Sequence, residues 1–284
     1  MDLDPSFGGQ THGRGGNTLR ETNLRRRTPL IRMRTLLLAG LAALLLTAAP
    51  AGAVIGGTPD RDAHPYVGLV WSSTGICTGS LISPTLFVTA AHCAPGGEIV
   101  GVTLDTAASP FSRFTPGLFV PHPRFCMGCG SGLPGFDTHD VAVVRLHPMM
   151  PLAAPRYAQL PEIGAIDALG GRTPLTVVGY GVQGFAAAPR DPDGNVIPGR
   201  VPYSDFTRTQ ASVTLVPGKF AWSDEFARIS ASRAGICFGD SGGPNLVGDT
   251  VVAINAYANQ NCAGATYSYR LDTPAALRFV NSFR

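Results

Sequence analysis

The 284-residue sequence predicts an all-β fold with a single helix at its C-terminal end. Short apolar segments rich in β-branched residues recur from residue 54 onward, separated by Gly, Pro and Asn. Only the last stretch carries helix-start chemistry, and a Pro-, Ala- and Gly-rich segment splits the strands into two groups. A mostly β chain of this kind folds as sandwiches or barrels.

In chain order the predicted strands are Tyr66–Trp71, Gly79–Ile82, Leu86–Thr89, Val100–Leu104, Val141–Leu146, Thr176–Val178 and Val251–Ala256. Each is short enough, and β-branched or apolar enough, to be a buried strand. The segment Leu152–Thr173 places a domain boundary near Ala165, giving halves 54–165 and 166–284. Pro189, Asp191-Pro192-Asp193-Gly194 and Pro198-Gly199 make Ala186–Pro202 a long surface loop. Ala263–Arg270, after Cys262, reads as a short loop. The helix begins at Thr273-Pro274-Ala275-Ala276-Leu277, with a threonine cap and a proline in the first turn.

Residues 1–53 read as a leader outside the fold. Met33-Arg34-Thr35, the apolar run Leu36–Ala49 and the small residues Ala51-Gly52-Ala53 form a signal peptide over 33–53, so the mature chain is expected to start at Val54. The run is shorter than the roughly 18 to 20 apolar residues of a membrane span, so no stable anchor is expected. Without this leader the chain has 15 basic and 16 acidic residues, and this balance excludes the basic footprint a nucleic-acid partner needs. A lone lysine, Lys219, amid abundant Ala, Gly and Pro reads as GC-rich coding and points to a bacterial source. All six cysteines follow the signal peptide, as in disulfide-bonded secreted proteins.

Gly239-Asp240-Ser241-Gly242-Gly243-Pro244 frames a serine with glycines that let backbone N–H groups converge on one point. Gly239-x-Ser241-x-Gly243 also fits the nucleophile elbow of α/β-hydrolases, which requires a histidine after the serine. The last histidine is His147, so that fold is excluded. An Asp, His, Ser order would need Asp60 or Asp62, and neither ends a convincing buried strand. The remaining order is His, Asp, Ser. His92 closes Leu86–Cys93, a buried strand running into a small-residue turn, and Asp140 leads the apolar strand Val141–Leu146.

At Ala90-Ala91-His92-Cys93, Asp140–Leu146 and Gly239–Pro244 the chain resembles the trypsin and chymotrypsin family of serine proteases. Val54-Ile55-Gly56-Gly57 resembles that family's processed N-terminus and Val178-Gly179-Tyr180-Gly181 the start of its second barrel, so the resemblance spans the mature chain. It implies two six-stranded antiparallel β-barrels with the site between them, a secreted serine endopeptidase, and protein or peptide substrates. In this reading His92 is the general base for Ser241 and Asp140 fixes the His92 tautomer. The N–H groups of Gly239 and Ser241 form an oxyanion hole, where losing one donor costs roughly 3 to 4 kcal/mol. Asp240 pairs with the free ammonium of Val54. A monomer without cofactor or metal is expected, and no acidic cluster reads as a calcium site. A protease-like binding protein without turnover and an esterase using the same three residues are the rival readings.

The resemblance also pairs Cys77 with Cys93 and Cys237 with Cys262. Cys126-Met127-Gly128-Cys129 remains, with spacing that fits a local disulfide, a redox pair or half a zinc site; no second pair at metal spacing accompanies it, and a local disulfide is preferred. By the same resemblance Gly235 would lie at the bottom of the specificity pocket, so no carboxylate waits there for Lys or Arg, and a small or apolar residue before the cut is expected. Ala256 and Ala258 flank Tyr257 along the pocket wall, where the family shows Ser-Trp-Gly, and Tyr267 is placed to intrude.

Overall fold

The computed structural model describes residues 54–129, 137–186, 190–194, 201–217, 224–231 and 234–284. Residues 1–53, expected to hold the leader and signal peptide, lie outside them. The first barrel is built from β2 (Val67–Ser72), β3 (Gly75–Ser83), β4 (Leu86–Thr89), β5 (Ile99–Thr103), β6 (Thr115–Pro121) and β7 (Ala142–Leu146). It closes in the order β2-β3-β4-β7-β6-β5, with every pairing antiparallel. Closure removes the free edges an open sheet would expose.

The second barrel comprises β8 (Pro174–Gly179), β11 (Thr209–Leu215), β12 (Phe226–Ala231), β13 (Pro244–Val247), β14 (Thr250–Tyr257) and β15 (Gly264–Arg270). It runs β11-β12-β15-β14-β13-β8 and closes through β11 against β8. The fold is therefore two closed six-stranded antiparallel barrels with a short C-terminal helix.

The chain ends pack away from their own halves. β1 (Thr58–Pro59) pairs with β11 of the second barrel. The C-terminal helix α2 (Pro274–Asn281) starts at Thr273, whose Oγ1 accepts the Ala276 N–H at 3.2 Å, with Pro274 in the first turn. Phe279 on this helix meets the His122 ring edge-on at 4.8 Å, and Arg145 of β7 lies over the Phe283 ring. One continuous core runs through both barrels, joining Leu81, Phe87, Phe119 and Val144 to Val178, Phe226, Ile254 and Tyr269. A second core fills the C-terminal half around Leu175, Val213, Ile229 and Val252, and Val54 is part of it.

All seven predicted strands exist, and the structure adds others. β6 went unread because Pro116, Gly117 and Pro121 break its pattern, yet Gly117 is there for space: a Cβ would come within 2.5 Å of Val144 Cγ1. Ala263–Arg270 is corrected from a loop to β15, where Thr266, Ser268 and Tyr269 are buried. Its polar residues hid it, since Ser268 is buried against Asn245 rather than exposed. The ends of the predicted loop Ala186–Pro202 form a ribbon of β9 (Gly184–Ala186) and β10 (Val201–Tyr203), while 187–189 and 195–200 lie outside the described residues. A four-residue helix, α1 (Ala165–Ala168), stands at the predicted boundary and buries Ile166.

Candidate active site

His92, Asp140 and Ser241 arrive at the junction of the barrels from three places. His92 sits in the 3-10 turn Ala91–Cys93 that follows β4, and Asp140 immediately precedes the strand run into β7. β4 and β7 pair directly, Thr89 opposite Ala142, so the sheet register brings histidine and aspartate together. Asp140 is fully buried; its Oδ2 lies 2.8 Å from His92 Nδ1, and its Oδ1 accepts the His92 backbone N–H at 3.0 Å. One carboxylate therefore fixes both ring and backbone. An ionised carboxylate only accepts, so the Nδ1 proton lies on its side and Nε2 of the neutral ring is left with a lone pair.

The His92 side chain is 21% exposed. Burial works against its charged form, but the Asp140 charge, the Asp140 hydrogen bond and the Asp137 charge outweigh this and raise its pKa above the ordinary value.

Ser241 enters from the turn before β13. Gly239 at φ +94° and Gly242 at φ +78° occupy backbone space that side chains disfavour. At Gly242 the need is also steric, since a Cβ would come within 2.1 Å of Thr89 Oγ1 and 2.7 Å of Ala90 N. The serine turn thus lies flat against the segment that leads to His92. Thr78 of β3 fastens it: its N–H donates to Ser241 O at 2.8 Å and its hydroxyl to Gly239 O at 2.9 Å. From the other side, Asn255 Nδ2 donates to Asp240 O at 3.1 Å, and Asn255 is itself held by Asn245. Thr78 and Asn255 were not singled out from sequence, because a strand threonine and a strand asparagine carry no local signature.

Asp240 is fully buried. Its carboxylate accepts the Gly181 N–H at 2.8 Å and the Cys237 N–H at 2.9 Å. Gly179 and Gly181 make its cradle, since a Cβ on either would come within 2.0 Å of Oδ1 or 2.7 Å of Cγ. Burial, only partly offset by those two amides, pushes its pKa up to about 7. Val54 is buried nearby in the second core, Ile55 and Gly235 exchange backbone hydrogen bonds, and the Val54 nitrogen donates to Thr209 Oγ1 at 2.6 Å. In the unprocessed chain that nitrogen is a peptide N–H rather than an ammonium.

Disulfides join Cys77 to Cys93, Cys126 to Cys129 and Cys237 to Cys262. Cys93 is next to His92, and Cys237 is four residues before Ser241. At Gly235 a Cβ would come within 2.2 Å of Ala231 Cβ, so the backbone there tolerates no side chain without movement. Ala256 brings no hydroxyl to Asp140, whose two hydrogen bonds among the described residues both come from His92. Tyr267 lies in register with Tyr257 and Arg228, half-buried against the first core. Sequence reasoning missed Asp137, three residues before Asp140: one ligand-type atom from each of His92, Asp137 and Asp140 lies within 4.8 Å of the others. An acid close to a candidate histidine–aspartate pair was the available signal.

Two closed antiparallel barrels carrying a His–Asp pair on one and a glycine-framed serine on the other define the chymotrypsin-like class of serine protease. The trypsin family model matches residues 54–280, and the chain belongs to that family. It is similar to mouse neutrophil elastase, 28% identical over 82% of this chain and 83% of that protein. It is also similar to a trypsin of Sarcophaga bullata, 26% identical over 76% of this chain and 82% of that protein. Human chymotrypsin-like elastase family member 3B is 31% identical over 46% of this chain and 52% of its own.

Proposed function

We propose that this chain is a secreted serine endopeptidase that cuts peptide bonds through Ser241, His92 and Asp140. The grip of Asp140 on both the ring and the backbone of His92, with the serine turn packed on Thr89 and Ala90 just before it, carries the reading. His92 Nε2 takes the Ser241 proton as Oγ bonds to the substrate carbonyl carbon. It then gives that proton to the leaving amine as the C–N bond breaks, leaving an acyl-enzyme that water hydrolyses by the reverse relay. The N–H groups of Gly239 and Ser241 receive the oxyanion. Cleavage before Val54 frees an ammonium for the buried Asp240 carboxylate.

A small or apolar residue before the cut is supported by the cramped Gly235, by Ala256 and Ala258, and by the elastase names of two similar proteins. Secretion is supported by three disulfides and by the signal-like segment 33–53. The test is a proteome-derived peptide library incubated with mature protein and with Ser241→Ala. Cleavage by the wild type alone, after non-basic residues, is expected. Equal cleavage by both removes Ser241 as nucleophile, and cleavage of esters but not peptides replaces the endopeptidase with an esterase.

A further inference from the structure

Asp137 is buried, with 5% of its surface exposed, and it is tied to both barrels. Its Oδ1 accepts the Gly128 N–H at 2.7 Å, inside the Cys126–Cys129 disulfide turn. That turn is joined to Thr138, the next residue, by reciprocal backbone bonds between Cys126 and Thr138 at 3.3 and 3.0 Å. On the other side the Asp137 N–H donates to the Tyr257 hydroxyl at 2.7 Å, at the end of β14. The Asp137 carboxylate, held by the Gly128 N–H while its own backbone is tied to Tyr257 and that of Thr138 to the disulfide turn, has an oxygen within 4.8 Å of a His92 ring nitrogen.

We infer that Asp137 is a positioning residue of the catalytic site, a second carboxylate that stabilises the His92 imidazolium alongside Asp140. The inference rests on the reading of His92 as the general base. Asp140 spends both oxygens on His92, one on the ring and one on the backbone, and no further donor reaches it among the described residues. Asp137 adds a second anion to the field at the ring, and its charge acts in the same direction as that of Asp140. When the ring takes the Ser241 proton, one positive charge forms within reach of two carboxyl groups. The proton then leaves to the departing amine.

The other titratable groups near this cluster pair among themselves. His139 follows Thr138, stacks on His122 at 4.6 Å and has Nδ1 3.3 Å from Glu225 Oε1. The phenols of Tyr257 and Tyr269 are held neutral, burial being the main cause for each, so they add no charge in the working range.

The experiment measures the His92 pKa by NMR in mature wild type, Asp137→Asn and Tyr257→Phe, alongside pH profiles of kcat/KM. Asp137→Asn should lower the His92 pKa by about one unit and move the acid limb of kcat/KM down with it. The plateau should fall about three- to tenfold with KM little changed. Tyr257→Phe keeps the Asp137 charge and should leave the His92 pKa near its wild-type value. An unmoved pKa in Asp137→Asn overturns the inference, as does an equal shift in Tyr257→Phe, which would make Asp137 a mere strap. A moved pKa with unchanged kcat/KM supports the coupling and overturns the role of His92 as base. Should Asp137→Asn not fold, the Asp137 carboxyl carbon of the wild type is followed by NMR: a shift through the His92 titration supports the inference, and a flat signal overturns it.

Discussion

Thr78 and Ser241 stand on different barrels and share a backbone hydrogen bond, Thr78 N–H to Ser241 O at 2.8 Å. The Thr78 side chain adds two more links, donating to Gly239 O at 2.9 Å and accepting the Tyr180 N–H at 3.2 Å. One strand residue thus fastens both the serine turn and the start of the Asp240 cradle. Thr78→Val keeps the shape and strands these partners. It should cost about 1 to 3 kcal/mol in urea denaturation and lower kcat more than KM is changed. Wild-type stability in the variant would remove Thr78 from the list of residues that hold the site.

Gly181→Ala tests the cradle itself. A Cβ there would come within 2.6 Å of Phe238 O and 2.7 Å of Asp240 Cγ, and neither can retreat without moving the Gly239–Ser241 turn. Destabilisation of about 1 to 3 kcal/mol is expected. Turnover should fall about a hundredfold or more, the scale of a lost oxyanion donor. The check is a thermal melt paired with steady-state kinetics; a stable, fully active variant would mean that the turn tolerates displacement.

Processing should change how stability depends on pH. In the unprocessed chain Asp240 has its pKa raised from 3.8 to about 7 by burial. A raised carboxyl keeps its proton in the folded state after the unfolded chain has released it, so stability falls between about pH 4 and pH 7. The proposed Val54 ammonium, paired with Asp240, would remove that loss by favouring the carboxylate. The gap in Tm between a precursor blocked at the Ala53–Val54 bond and the mature protein should widen from pH 4 to pH 7. Parallel pH profiles would show that the ammonium does not reach Asp240.

Gly235→Asp should not turn this protein into one that cuts after Lys or Arg. The new side chain would start 2.2 Å from Ala231 Cβ, so the backbone must shift before any carboxylate can face a substrate. A stability loss of about 1 to 3 kcal/mol without cleavage of basic substrates is expected. Pairing it with Ala231→Gly should recover stability. Efficient cleavage after arginine by the single variant would contradict this crowding.

The catalytic candidates were readable because His92 and Ser241 sit in small-residue runs, Asp140 leads an apolar strand, and their order along the chain excludes other folds. The seven strands read from sequence are short, largely apolar segments set off by Gly, Pro and Asn. Strands such as β6 and β15 were hidden because barrel closure accepts Pro116 and Gly117 where packing needs thinness, and buries Ser268 where an asparagine supplies its hydrogen bond. Asp137 stayed hidden for a related reason: its meaning depends on Tyr257, 120 residues away, and on Gly128 in a disulfide turn. Only the closed fold brings these partners to one place.

The exchange of chain ends between halves has a mechanical consequence. β1 belongs to the sheet of the second barrel, while the C-terminal helix lays Phe279 and Phe283 on the first. Each half is therefore belted by the other's end, so hinge opening of one barrel against the other would have to break both belts.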